Sequence, residues 1–301
     1  LTRSVCQLCY TTLFAGAQGW HLYDDSMHYS YNQWPYEILR LVDRVPQRHS
    51  GVETLVLKPH AYYNEVAHQY DRHRSGGGPH VDLLLSFARL AQASRILEIG
   101  CGTGNNAVIL QKKYPCLLTG MDLSDGMLSQ ASAKKTYAAL VRGDATRLPF
   151  MDGAFDMAFA VYVLHHVPEW RLVCHECARV LRKGYVVFVT ASEEYIQKHP
   201  LNKYFPSFAD IDRRRFPSII SMLQALSDAG FSETGCERVV SETKRLDEAY
   251  LRKVENRFIS TLDLIPADEY ELGLKAMRAD VERHGGADVI KWESAVVWGR
   301  L

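Results

Sequence analysis

From residue 80 onward the chain alternates between two hydrophobic rhythms. Val81 to Leu90 carries apolar positions at helical spacing. Arg95-Ile96-Leu97-Glu98-Ile99 is a short apolar run ending in glycines, a buried strand by its length and flanks. The alternation then repeats. Ala107 to Tyr114 predicts a helix and Leu117-Leu118-Thr119-Gly120-Met121 a strand. Gly126 to Lys135 predicts a helix and Ala138 to Val141 a strand. Phe155 to Val161 is a fourth strand, Glu169 to Leu181 a helix, and Tyr185-Val186-Val187-Phe188-Val189 a fifth strand. Buried strands separated by helices predict an α/β fold with a doubly wound, mostly parallel sheet, whose ligand sits at the carboxyl ends of the strands.

The flanking segments follow other patterns. Residues 1–60 are rich in Tyr, Trp and His, with a short helix from Gln33 to Val42 opened by Pro35. Residues 61–70 (AYYNEVAHQY) predict another helix, and Ser75-Gly76-Gly77-Gly78-Pro79 interrupts the chain. Ser218 to Ala229 predicts a helix closed by Gly230. Cys236 to Val240 and Ser294 to Trp298 predict two more strands, which brings the sheet to seven. Between those two, Tyr250, Leu251, Val254, Phe258 and Leu262 share one helical face, and a second helix spans Asp268 to Arg283. The expected division is an aromatic N-terminal arm or cap at 1–60, a binding core at 61–240, a helical insertion at 241–290 covering the substrate, and a final core strand at 291–301.

Composition narrows the function classes. The 301 residues hold 35 basic and 35 acidic side chains. A net charge of zero argues against duplex nucleic acid as the main partner, because neutralising phosphates needs a clustered cationic surplus. No apolar run approaches the ~20 residues of a spanning helix. The start, Leu1-Thr2-Arg3, leads into a short apolar stretch broken by Gln7 and Gln18, which is not a secretory leader. That the first residue is Leu rather than Met leaves the natural start open. Seven scattered cysteines, an odd number, predict no disulfide framework and a reducing, cytoplasmic setting.

The chemistry concentrates at the strand ends. Glu98-Ile99-Gly100-Cys101-Gly102-Thr103-Gly104 follows a strand and precedes a helix. Glycines at i, i+2 and i+4 let a ligand approach the backbone, and the helix N-terminus offers free amides. The spacing is tighter than the G-x-G-x-x-G dinucleotide fingerprint, and no Gly-Lys-Ser/Thr follows, which excludes a nucleoside triphosphate loop. Asp122, in Gly120-Met121-Asp122-Leu123-Ser124, puts a carboxylate at the end of the next strand, suited to gripping ribose hydroxyls. Arg142-Gly143-Asp144-Ala145 ends the third strand. The fourth runs into Tyr162-Val163-Leu164-His165-His166.

These segments, LEIGCGTG, GMDLS, GDATRLPF, FDMAFAVYVLHH and ARVLRKG, stand in order and at family-like spacing over about residues 61–240. The chain resembles the class I S-adenosylmethionine-dependent methyltransferases, nearest to the small-molecule enzymes of the ubiquinone and menaquinone biosynthesis type. The resemblance implies S-adenosyl-L-methionine as cofactor, S-adenosyl-L-homocysteine as product and a small-molecule methyl acceptor. It implies that Gly100, Gly102 and Gly104 border the methionine part, with Glu98 and Cys101 of the same loop counted among the cofactor residues. Asp122 would hold the ribose, Leu123 and Met127 the adenine side, and Asp144 the adenine amino group with help from the Ala145 amide. Val161 would face the sulfonium. Tyr63 and Tyr70 match the family's YYxxxAxxYD lead-in and would lid the cofactor. One departure is Lys183-Gly184-Tyr185 where the family usually has Pro-Gly-Gly, which alters a turn and not the cofactor grip.

Other residues keep two readings. His165 and His166 are candidate general bases, since histidine ordinarily titrates near neutral pH, or they orient loops. Cys6-x-x-Cys9 and Cys174-x-x-Cys177 have zinc-like spacing, but the second pair lies mid-helix where cysteine behaves as a small apolar residue, and no metal is expected. Arg213-Arg214-Arg215 is either an anion anchor or a solvated turn. Methylation of RNA or protein, and cofactor binding by a non-catalytic partner protein, remain the alternatives to methylation of a small metabolite on oxygen, nitrogen or carbon.

Overall fold

In the computed structural model, residues 60–73, 76–284 and 289–301 are described. The expected helix at Gln33 to Val42 and the Cys6–Cys9 pair lie outside them. The chain order begins with α1 (His60–His73), α2 (Pro79–Leu90), β1 (Arg95–Ile99), α3 (Asn105–Lys113), β2 (Leu117–Asp122), α4 (Asp125–Ala133), β3 (Ala139–Arg142) and β4 (Phe155–Val161). It continues with α5 (Trp170–Val180), β5 (Leu181–Thr190), α6 (Glu193–Lys198), α7 (Phe208–Arg215) and α8 (Ile219–Asp228). Last come β6 (Glu233–Arg245), α9 (Glu248–Glu255), α10 (Ala267–His284) and β7 (Val289–Arg300). No helix among the described residues is long and apolar enough to cross a membrane.

The seven strands form one sheet in the order β3-β2-β1-β4-β5-β7-β6. The first five are parallel, and β7 runs antiparallel between β5 and β6. Alternate residues of each strand enter opposite cores, as the two-residue period of a strand requires. Ala158, Ala160, Val186 and Phe188 pack with Val173, Cys174 and Cys177 of α5 and with Met222 and Leu226 of α8. Met157, Phe159, Val187 and Val189 pack with Leu84 and Phe87 of α2 and with Ala107 and Leu110 of α3. Both faces are therefore covered, which explains why these strands read as unbroken apolar runs. The order of strands places the crevice between β1 and β2 on one side and β4 on the other, where the chain's winding reverses.

Three regions differ from the sequence pattern. First, β6 and β7 are each more than twice as long as the apolar runs at Cys236 to Val240 and Ser294 to Trp298. Pairing of β7 with β5 stops at Ala295, so Val289 to Ser294 pair only with β6 and extend past the sheet as a two-stranded ribbon. Polar residues such as Lys244 and Lys291 interrupt the ribbon's apolar pattern and hide it from a hydrophobic reading. Second, β5 begins at Leu181 instead of Tyr185, with a bulge opposite Phe155 and Met157 and with Gly184 at φ +116. A Cβ on Gly184 would run into the Asp156 carbonyl oxygen, so the position demands glycine. Third, the helix expected through Leu262 ends at Glu255, because Arg257 takes a left-handed conformation at φ +48. Tyr250, Leu251, Val254, Phe258 and Leu262 still share one core.

That core belongs to a cap with two sources. Leu201, Tyr204, Phe205 and Phe208 come from the segment between β5 and α8, and pack with Leu246, Tyr250, Tyr270 and Met277 from the segment between β6 and β7.

At the opposite end of the sheet a buried carboxylate fixes the strand starts. Asp156 Oδ2 accepts from the Ser94 N–H at 3.1 Å, the Ser94 hydroxyl at 2.9 Å and the Arg95 N–H at 2.9 Å. Its Oδ1 accepts from Arg182 at 2.7 Å. Burial disfavours the Asp156 charge, but these donors outweigh it and hold the carboxyl below its ordinary value. Asp156→Ala is expected to cost about 2–4 kcal/mol at pH 7 by stranding buried donors. A carboxyl held low in the folded state stabilises above its unfolded pKa and loses that effect in acid. The gap between wild type and variant, read from urea unfolding, is therefore expected to hold down to about pH 5 and narrow below about pH 4.

Candidate active site

The glycine loop between β1 and α3 turns because three of its residues adopt positive φ: Gly100 at +64, Gly102 at +53 and Gly104 at +81. Their surroundings differ. A Cβ on Gly100 would meet Val163 at 2.5 Å and one on Gly104 would meet Tyr137 at 2.9 Å, whereas one on Gly102 would meet nothing within 4 Å. Gly100 and Gly104 are glycine for packing. Gly102 borders open space.

Asp122 flanks that space. Its Oδ2 accepts from the Gly102 N–H at 2.8 Å and its Oδ1 from the Ser124 N–H at 2.9 Å. Burial raises its pKa, while the Ser124, Gly102 and Leu123 amides work in the other direction. Leu123, next in the chain, is 46% exposed although apolar. Met127 is buried beneath, its N–H donating to the Ser124 hydroxyl at the helix cap. At the end of β3, Asp144 Oδ1 accepts from the Thr146 N–H at 2.8 Å and its hydroxyl at 2.9 Å, which shapes the turn that also holds Ala145. Among the described residues the second Asp144 oxygen accepts no hydrogen bond.

Glu98 and Cys101 point inward. Glu98 is 2% exposed and Tyr137 Oη donates to its Oε2 at 2.7 Å. Burial pushes its carboxyl up to about 8, so it is largely protonated at neutral pH and supports the loop from below without adding charge. Burial likewise keeps the Cys101 thiol protonated.

Helix α1 closes one side of the loop, with polar contacts to it near both helix ends. Near its start, Asn64 Oδ1 accepts from the Ser124 hydroxyl at 2.7 Å and the Gly126 N–H at 3.0 Å. Near its end, Asp71 accepts from the Thr103 hydroxyl at 2.5 Å and Asn105 at 2.8 Å, and pairs with Lys134 at 2.7 Å. Partial burial opposes the Asp71 charge, but Lys134, Thr103 and Asn105 hold its pKa below the ordinary value. The sequence pattern pointed to the tyrosines of this helix; the polar residues that dock it are Asn64 and Asp71. Tyr63 and Tyr70 line a cavity of about 110 Å³ with Tyr62, Val66, Arg257 and Phe258.

The fourth strand delivers the remaining groups. Val161 ends β4, and Tyr162 follows in a left-handed conformation at φ +55, uncommon for a bulky residue and a form of strain that clusters at functional sites. Its N–H bonds the Val189 carbonyl at 2.8 Å and its hydroxyl meets Ser294 at 2.9 Å, which turns the side chain into the sheet. The chain is thereby redirected so that Val163 packs on Gly100 and the two histidines follow. His165 is buried with its ring stacked on Phe216 at 4.1 Å, and the His166 ring lies 3.9 Å from it. His166 Nε2 is 3.1 Å from the Tyr63 hydroxyl, which joins α1 to the end of β4.

Two sequence candidates land elsewhere. Cys174 and Cys177 are fully buried in the sheet core, with burial pushing the Cys174 thiol up to about 12. Among the described residues no cluster of His, Cys, Asp and Glu could hold a metal ion. Arg213 to Arg215 form the last turn of α7 and not a solvated turn. Arg213 pairs with Asp210 at the surface, while Arg215 is buried.

Glu98→Gln tests the buried neutral carboxyl. A folded-state pKa raised to about 8 means the wild type loses stability as pH climbs from its unfolded value to about 8. The variant is expected to gain on the wild type over that window by on the order of 4 kcal/mol and to gain nothing further above it, read from urea midpoints at pH 5, 7 and 9.

Comparison with known proteins agrees with this geometry. Residues 97–189 match the methyltransferase domain family. Malonyl-[acyl-carrier protein] O-methyltransferase of Herminiimonas arsenicoxydans is 34% identical over 165 residues, covering 50% of this chain and 59% of that protein. The chain thus spans under two thirds of that relative's length. Demethylmenaquinone methyltransferase of Listeria monocytogenes is 27% identical over 212 residues, covering 60% of this chain and 90% of that one. Among solved structures, a proposed methyltransferase from an antibiotic biosynthesis pathway of Anabaena variabilis superimposes with a TM-score of 0.60 at 22% identity, covering 73% and 96% of the two chains. The [4+2]-cyclase SpnF superimposes with a TM-score of 0.53 at 19% identity, covering 80% and 93%. Residues 97–189, the stretch that holds the strands building the glycine loop and its carboxylates, are thus similar to the methyltransferase domain family.

Proposed function

We propose that the chain transfers a methyl group from S-adenosylmethionine to an oxygen, nitrogen or carbon of a small molecule held between the sheet and the cap. The observation that carries this reading is the space over Gly102 with Asp122 at its edge. Each Asp122 oxygen already accepts one backbone amide and keeps capacity for another donor, which suits a ribose diol. The unused Asp144 oxygen suits an exocyclic amine, and exposed Leu123 suits the flat face of an adenine. The donor set fits the cofactor.

When bound, the cofactor supplies a methyl group on a sulfonium, already attached to a good leaving group. The protein's task is then to aim an acceptor atom in line at about 3 Å and to exclude water. His166 follows the end of β4 with its Nε2 in reach of the Tyr63 hydroxyl, and its imidazole can take a proton from an acceptor that arrives as a hydroxyl or acidic carbon. His165, stacked on Phe216, positions its neighbour. The two named relatives, one an O-methyltransferase of a carrier-bound malonyl group and the other a methyltransferase of demethylmenaquinone, support a metabolite as acceptor. The balanced charge disfavours RNA.

Calorimetric titration of S-adenosylmethionine and S-adenosylhomocysteine is expected to show binding of both to the wild type. Asp122→Ala, checked for folding by circular dichroism, is expected to weaken both by at least about 100-fold, the worth of about two hydrogen bonds to a charged acceptor. No binding by folded wild type would sink the proposal. Asp71→Ala frees one end of α1 and is expected to weaken S-adenosylhomocysteine by about tenfold, through faster dissociation in stopped-flow displacement, since most such changes fall on the off-rate.

A further inference from the structure

The cap contains a buried cation that the cofactor site does not use. Arg215 closes α7 with its side chain only 2% exposed. A guanidinium carries five N–H donors in a rigid fork, and a buried one normally has them satisfied. Here Nη2 donates to the Ser260 hydroxyl at 2.9 Å, while Nη1 reaches the Thr261 hydroxyl at 3.3 Å and Asp212 at 3.4 Å. Among the described residues Nε meets no acceptor. The ion pair with Asp212 is loose, because the shorter bond to that carboxylate, 2.7 Å, comes from Thr261. Burial raises the Asp212 pKa to about 6, so this counter-charge is lost as the medium turns mildly acidic. The Nε–Nη2 edge, the edge that pairs side by side with a carboxylate, is thus filled by one hydroxyl.

Its location ties this cation to the reaction. Phe216, the next residue, stacks on His165, and Tyr63, which bonds His166, is near enough to act electrostatically on Arg215. Tyr63 also lines the aromatic cavity with Tyr62, Tyr70 and Phe258. Tyr63 is common to both, lining the aromatic cavity and acting on Arg215, so a ligand whose body is flat and whose far end is an anion would engage the two together.

We propose that Arg215 anchors a carboxylate of the methyl acceptor, so that the substrates of this protein are carboxylic acids with a planar body, their reacting atom turned toward Tyr63 and His166. The assignment rests on the methyl-transfer reading above and names its substrate class.

The test uses the protein saturated with S-adenosylhomocysteine and two probes of equal shape, 4-hydroxyphenylacetate and its neutral amide, titrated calorimetrically. The carboxylate is expected to bind wild type at least tenfold more tightly than the amide. Arg215→Met is expected to erase that preference while S-adenosylhomocysteine affinity stays within twofold, and Arg215→Lys to keep part of it. Equal binding of the two probes to wild type, binding of neither, or a preference that survives in Arg215→Met would overturn the assignment. The wild-type comparison stands even where a variant fails to fold. Absence of S-adenosylhomocysteine binding would instead strike the methyl-transfer reading itself.

Discussion

Two amide protons, from Gly102 and Ser124, converge on the Asp122 carboxylate. Through them the turn after β1 and the turn after β2 become one rigid rim. Other features assemble on this bond. The Cys101 N–H bonds the Met121 carbonyl at 2.9 Å, drawing the loop down on β2. Ser124, set by Asp122, caps α4 and donates to Asn64, so α1 docks against the same rim. The electrostatic logic is economical. Burial raises the pKa of Asp122 while three backbone amides work against that shift, and its neighbour Glu98, pushed up to about 8 by burial, adds little charge to the loop at neutral pH.

The parts of this arrangement visible in the sequence are those where local chemistry dictates geometry. Positive φ at three closely spaced residues demands glycine, and strands covered on both faces must be apolar, so LEIGCGTG and the runs at Phe155 to Val161 and Tyr185 to Val189 announce themselves. Asp122 and Asp144 follow because strand ends in such a sheet face the crevice. The remainder depends on tertiary pairing. Asn64 and Asp71 sit on the polar face of α1, and nothing local distinguishes them from solvated side chains until Ser124 and Thr103 arrive from elsewhere in the chain. Arg215 looks like one charge in a surface triplet, and only α7's packing against Ser260 and Thr261 buries it.

The cap shows the same division. Its helices after β6 were legible from apolar spacing, but its second source, the segment holding Leu201, Phe205 and Phe208, reads as an ordinary crossover between β5 and α8. The left-handed Arg257 ends one helix early, and its guanidinium then lies 3.6 Å over the Tyr270 ring. That placement carries no signature in a hydrophobic pattern. The turn it creates supplies residues to the cavity facing α1.

The ribbon formed by the outer halves of β6 and β7 gives the molecule a seam. The cap's core is carried on backbone that pairs with no strand of the central sheet, so its side chains can be exchanged without disturbing the registers that hold the glycine loop. Substitutions above the seam would therefore leave the glycine loop and its carboxylates below it in register. The segments before α8 and between the two ribbon strands thus form a layer whose repacking is mechanically uncoupled from the strand registers beneath it.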